Sequence, residues 1–408
     1  MKSLRNLVTV TAALFLTVIC GCTAPDEILR FDPLSQEPVK IGVILPLTGK
    51  DAAQGRKMLN GARFAADELN SRKGHFGRQV DLVVVDTNST GSGAAKAFAA
   101  AVDAGAVGIV GGYSTIETQG ITALAQIHRV PLVIPMATGN DDIIGSNKFV
   151  YRSVFTDRQQ SEMIAGYMKY YRRAGRIVIA VSKDPADIYS RNVARDVADS
   201  FRNLGGEVSC VCEVDRKDFR TAMREAVSFA PDAIVLPFDG PTAAGYYKEL
   251  RELGYVGLIC GPDSWDDPGF FKALRGIKVL GNCFYTAFFT DEARHSEFKT
   301  FRENFRKKRY YYPDSCEIQT FDAVNMLLIG LGNNADNLKQ FKKNWQGMRK
   351  HAGAAAIYTM KNGNAIDRTI YINRVGVAQD KSGTLVPRNI AGLQYSRLQE
   401  YKVDEDED

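Results

Sequence analysis

From residue 39 onward, short apolar runs alternate with amphipathic segments of helical length, and near residue 160 the alternation begins again. Runs at 39–45, 80–86, 107–110 and 132–135 read as strands. Between them, 55–71, 94–104 and 117–128 carry the apolar period of helices. The second set places helices at 161–173, 190–204, 219–229 and 242–253, with strands at 177–181, 207–214, 233–237 and 257–260. Strands that are apolar throughout and separated by helices belong to parallel sheets covered on both faces. The expected class is therefore α/β, with two doubly wound parallel-sheet lobes and a ligand cleft between them. A chain of 408 residues is long enough to bury both cores.

The segments after the second set decide how the lobes are joined. Helices at 297–309 and 321–331 are expected to return to the first lobe, which makes each lobe discontinuous and the joint a multi-strand hinge. Residues 354–377 read as strands around a Lys361-Asn362-Gly363-Asn364 turn. The expected division is 39–155 plus about 288–353 for lobe 1 and 156–287 plus about 354–396 for lobe 2. An acidic tail occupies 397–408.

The first residues carry an address. Lys2 and Arg5 precede an apolar run over 7–19, shorter than the roughly 20 residues a spanning helix takes, as in the core of a secretory signal. The run ends in Ile19-Cys20-Gly21-Cys22, where Cys22 sits correctly for lipidation behind small residues. The expectation is a signal peptide over 1–21, a lipidated tether over 22–38 rich in Pro25, Pro33 and Pro38, and an extracytoplasmic body held to the membrane through the lipid alone. The net charge of +5 is small for this length and gives no case for nucleic acid. Cys210 and Cys212, two apart on one strand, are poorly placed to bond each other, whereas Cys260 and Cys283 can pair if their strands are neighbours. His75, His128, His295 and His351 are scattered, without metal-ligand spacing.

Several short motifs occur in one order over more than three hundred residues. They are Ile41-Gly-Val-Ile-Leu-Pro-Leu-Thr-Gly49 with Asn60-Gly-Ala-Arg63, Ile109-Val-Gly-Gly-Tyr-Ser114, and Val130-Pro-Leu-Val-Ile-Pro-Met-Ala-Thr138. Tyr151-Arg-Ser-Val-Phe155 leading to Gln159 and Gln160, Gly261-Pro-Asp-Ser-Trp265, and Phe321-Asp-Ala323 follow. In this set the chain resembles the type I periplasmic binding proteins that serve branched-chain amino acid transporters. Each motif alone is weak; their shared order is specific.

Physical reading and resemblance meet at a few positions. Ser114 and Thr138 each follow a buried strand at the start of a helix, where a hydroxyl and unpaired N–H groups can receive a carboxylate. Both could equally be helix caps, and the two roles can coexist. The resemblance implies that these residues, with their neighbours Tyr113 and Ala137, hold the carboxylate and part of the amine of an amino acid. It also implies that Asp263 pairs with the ligand's ammonium and that Tyr189 reaches the ligand across the cleft. Phe238, Trp265 and Tyr285 are candidate pocket walls. Gln54 departs from the pattern, since relatives that bind aliphatic amino acids often carry a bulky aromatic there. That weakens a leucine, isoleucine or valine ligand and leaves room for a polar or smaller side chain.

No phosphate loop, nucleophile elbow, His-Glu-x-x-His or Cys/His grouping is present, so neither catalysis nor a cofactor nor a metal is expected. The basic run 306–309 before Tyr310-Tyr311-Tyr312 reads as a solvated helix end. The expected function is a monomeric solute-binding lipoprotein of an ABC importer, taking an amino acid or related small polar solute to a permease. The alternative is a sensory lipoprotein for a small amide or carboxylate.

Overall fold

Parallel neighbours need a crossover between them, and the intervening helices supply it: the first sheet is parallel throughout, and the second is parallel except where two late strands add antiparallel at one edge. The computed structural model describes residues 29–140, 144–145, 147–275, 277, 281–290, 295–365, 368–379 and 385–389. Cys22, the segment 1–21 read as a signal and the acidic tail 397–408 lie outside the described residues. The elements of the first unit are β1 (Val39–Leu45), α1 (Ala52–Ser71), β2 (Val80–Asp86), α2 (Gly91–Asp103), β3 (Gly108–Gly111), α3 (Thr115–His128), β4 (Leu132–Ile134) and β5 (Val150–Arg152). The second unit runs α4 (Asp157–Gly166), β6 (Arg176–Ser182), α5 (Ile188–Asn203), β7 (Glu207–Val214), α6 (Phe219–Ser228), β8 (Ala233–Val235), α7 (Gly240–Glu252), β9 (Leu258–Gly261), α8 (Pro268–Ala273) and β10 (Cys283–Ala287). Then come α9 (Ser296–Arg309), α10 (Ser315–Leu331) and α11 (Leu338–Gln346). The two-residue strands β11 (His351–Ala352), β12 (Ile357–Tyr358), β13 (Met360–Lys361) and β14 (Asn364–Ala365) lead to β15 (Tyr371–Gln379) and β16 (Leu385–Asn389).

The first sheet has the order β2-β1-β3-β4-β5, and the second β16-β15-β10-β9-β8-β6-β7. Strand order reverses between β1 and β3 in the first sheet and between β6 and β8 in the second, and at such a reversal the flanking loops diverge and leave a crevice. The chain passes between the sheets after β5, after β10 and again before β15. Among the described residues no helix is long and apolar enough to cross a membrane.

Local chemistry explains where the elements differ from the sequence reading. α10 begins at Ser315, not 321, because Asp314 caps it and Glu317 answers with its side chain on the Asp314 N–H at 3.0 Å. α8 is short, opened by Asp267 as cap and Pro268 in its first turn. The basic end of α9 is not simply solvated: Lys308 pairs with Glu68 at 2.7 Å and Arg309 with Asp67 at 3.2 Å, tying α9 to α1. The turn at Asn362-Gly363 joins β13 and β14 with positive φ at both residues, as a tight hairpin turn requires.

The cysteines correct two expectations. Cys210 and Cys212 are bonded as a disulfide. The register between β6 and β7 slips at Ile177/Val178, leaving Ser209 without a partner, and just beyond this bulge the two cysteines share one face of β7 with their Cα atoms 5.6 Å apart, within disulfide reach. β9 and β10 are neighbours, yet Cys260 and Cys283 are free buried thiols. Cys260 is paired in register with Phe284, and Cys283 with Ile259, so the side chains leave opposite faces of the sheet. Burial pushes both thiols up.

Candidate functional site: the cleft between the lobes

The chain after β1, β3 and β4 faces the loop after β9 and the helix α5 across the gap between the sheets. α1 enters this space at a fixed height, because a Cβ on Gly55 would lie 1.9 Å from the Pro46 carbonyl oxygen. Only glycine lets the first turn of α1 rest on the end of β1, and this sets where Gln54 and Asp51 stand. After β3, Gly112 takes φ +82, with no room for a Cβ beside the Thr118 hydroxyl, and turns the chain into α3.

Ser114 is the cap of α3. Its Oγ accepts from the Glu117 N–H at 3.3 Å, and Glu117 in return accepts from the N–H groups of Tyr113 at 3.0 Å and Ser114 at 3.3 Å. The Thr87 hydroxyl donates to the other oxygen of Glu117. The two backbone donors expected to be open to a ligand are thus occupied by a buried carboxylate of the chain itself. The hydroxyl hydrogen of Ser114 lies outside these bonds and can be offered to a ligand. Burial raises the Glu117 carboxyl, and the hydrogen bonds oppose that rise.

Thr138 lies beside α4: its carbonyl accepts the Asp157 N–H at 2.7 Å and its hydroxyl steadies the Asp157 carboxylate. From there a polar chain runs into lobe 2. Gln160 donates from Nε2 to Asp157 at 2.8 Å and to Asp263 Oδ1 at 2.7 Å. Its Oε1 accepts from the Asp263 N–H at 3.0 Å and from the Thr286 hydroxyl at 2.7 Å. Tyr189 donates to the same Asp263 Oδ1 at 2.7 Å, so Oδ2 is left outside these bonds. Asp263 is half-buried at the end of β9. Burial raises its carboxyl above the usual range, with Tyr189 and Gln160 pulling it back. Asp157, fully buried, is raised to about 7 by burial and then by the charge of Asp263.

The other predicted residues divide. Ala137 is buried beside Thr138. Phe238, Trp265 and Tyr285 are fully buried within the core cluster, Trp265 stacked on Phe270 at 4.8 Å and Phe238 edge-on to Tyr246 at 4.9 Å. These rings support the loop that carries Asp263. Tyr113 is half-buried, its phenol pushed well above its usual range by burial and by the charges of Cys316, Asp51, Asp267 and Asp263.

Gln54 reaches across the cleft and donates to Asp267 Oδ2 at 2.6 Å. Two further bonds span the lobes: Ser315 donates to Asp266, and Asn140 donates to Asp196 at 2.6 Å. The lobes are therefore closed on each other. Sequence reasoning gave no role to Asp157 or to Asp267, and quoted Gln160 only as part of a motif. The Thr156-x-x-Gln159 capping box and the Asp157/Gln160 spacing of three were the available signals.

A family model described as "Periplasmic binding protein" matches residues 38–382. The chain belongs to that family. As a periplasmic binding protein of the branched-chain amino acid type, it is 26% identical over 264 residues to the Leu/Ile/Val-binding protein BraC3 of Rhizobium johnstonii, covering 63% of this chain and 70% of that one. The leucine-binding protein LivK of Thermotoga maritima superposes with a TM-score of 0.76 at 28% identity, over 88% of this chain and 99% of that chain. LivJ of Streptococcus pneumoniae, solved with isoleucine, gives 0.74 at 23% identity, over 87% and 99%. These binding proteins share one fold, with two lobes about a cleft.

Proposed function

We propose that this periplasmic binding protein captures an α-amino acid between its lobes and presents it to the permease of an ABC importer, by binding alone and without catalysis. The observation that carries the reading is Asp263, a carboxylate oriented on one oxygen by Tyr189 and Gln160, with its second oxygen outside those bonds. An ammonium on that oxygen is shielded from water when the lobes close, which strengthens the pair. The ligand's carboxylate then falls to the hydroxyl of Ser114 and the α3 terminus behind it, with Thr138 alongside. Relatives named for leucine, isoleucine and valine binding support an amino acid as the ligand class.

The protein is taken to act as an extracytoplasmic monomer anchored through Cys22. Calorimetric titration of the purified protein with L-amino acids and their des-amino analogues tests the site. Amino acids should bind and the analogues should not, and Asp263→Asn should weaken binding by about 2–5 kcal/mol. Equal affinity for both ligand sets, or an unaffected Asp263→Asn variant, would remove the ammonium assignment.

A further inference from the structure

The end of the cleft occupied by Gln54 differs in kind from the ammonium site. Gln54 sits in the first turn of α1, pinned by Gly55 against Pro46, and its amide nitrogen donates to Asp267 across the seam. A carboxylate has only acceptors to offer, so the amide must turn its nitrogen toward Asp267. Asp267 is itself held in place, since its other oxygen accepts the Gly269 N–H at the start of α8. The orientation of Gln54 is thereby decided by lobe 2, and its Oε1 faces the other way. That oxygen is shut off from solvent and has no hydrogen-bond partner among the described residues. The phenol of Tyr113 stands nearby in the field of Asp51, Asp267 and Asp263. The only cation paired with Asp51 among the described ion pairs is Lys50, whose side chain is 77% exposed.

We propose, resting on the amino acid reading above, that Gln54 held by Asp267 makes this end of the pocket a hydrogen-bond acceptor, and that the ligand is an α-amino acid whose side chain carries N–H donors. An amide end satisfies Gln54 Oε1, and an ammonium or guanidinium end also answers the carboxylates of Asp51 and Asp267. A hydrocarbon side chain leaves the buried oxygen without a partner, and a site built to bond a donor rejects the analogue that lacks it far more strongly than an apolar pocket rejects a missing methylene.

The experiment is titration of the purified protein with L-lysine, L-arginine, L-glutamine, L-norleucine and L-leucine, repeated on Gln54→Leu and Asp267→Asn. The donor-bearing ligand that binds best should exceed norleucine and leucine by about a hundredfold, a modest share of what an unmet polar partner can enforce. Gln54→Leu should reverse that order, and Asp267→Asn, which lets the amide turn over, should narrow it. Leucine or norleucine binding as well as every donor-bearing ligand overturns the inference and leaves the amino acid reading standing. An unchanged order in Gln54→Leu overturns it as well. Binding of no amino acid at all takes away the amino acid reading, and the inference falls with it.

Discussion

At the scale of single residues, the two carboxyls joined by Gln160 set the pH behaviour of the cleft. Asp157 is fully buried and its carboxyl is raised to about 7, well above its value in an unfolded chain. Between that unfolded value near 4 and about 7, the folded protein keeps a proton that the unfolded chain has lost, so stability falls as pH rises through this window. Below it both states are protonated and the effect vanishes. Asp157→Asn should therefore be more stable than the parent at pH 8, by up to about 4 kcal/mol, and close to it at about pH 3–4. Urea unfolding of the ligand-free protein at the two pH values measures this, and a difference independent of pH would count against a buried, protonated Asp157. Part of this site was legible from sequence, because Asp263, Ser114 and Thr138 each follow a strand end within a motif of the set, and Tyr189 came with the resemblance. The partners that orient them were not. Gln160 and Asp263 lie 103 positions apart, and Gln54 and Asp267 lie 213 apart, so nothing local pairs them.

At the scale of elements, what matters is the short loop that runs from Asp263 through Asp267 into α8. It presents Asp263 to the cleft, Asp266 to Ser315 at the head of α10, and Asp267 to Gln54 in α1. The loop thus carries the proposed ammonium site and grips two helices of the opposite lobe. Removing both grips with Asp266→Ala and Asp267→Ala should move the free protein toward an open state and lower ligand affinity about tenfold, the cost of roughly 1.4 kcal/mol of lost closure. Small-angle scattering of the free protein should show a larger radius of gyration for the double variant. An unchanged radius would mean that the hinge alone sets the closed arrangement. The element pattern itself was readable because strand and helix periods are local properties. Where the reading fell short, as at the start of α10, a polar cap had been hidden beneath an apolar face that reads most strongly farther along the helix.

At the scale of the whole molecule, both sheets place their first strand second, flanked by the second and third strands, so each lobe opens its crevice at the same topological point. Two crevices facing each other make one cleft, and that much follows from the repeated rhythm alone. The antiparallel addition of β15 and β16 does not, since it depends on where the chain returns and not on its local period. The proposed lipid anchor at Cys22 belongs to this scale as well. Cys22→Ser should release the protein from membrane fractions into the soluble fraction while leaving titrated affinity unchanged, and retention on membranes would point to another attachment. The far edge of the second sheet is β7, a strand whose outward-facing Val211 is exposed and whose unpaired backbone could template another chain. The bulge at Ser209 interrupts that edge, because a strand that bends and twists there does not lie flat beside a newcomer. A bent edge is a poor template for a second copy, so the sheet has a natural end at β7.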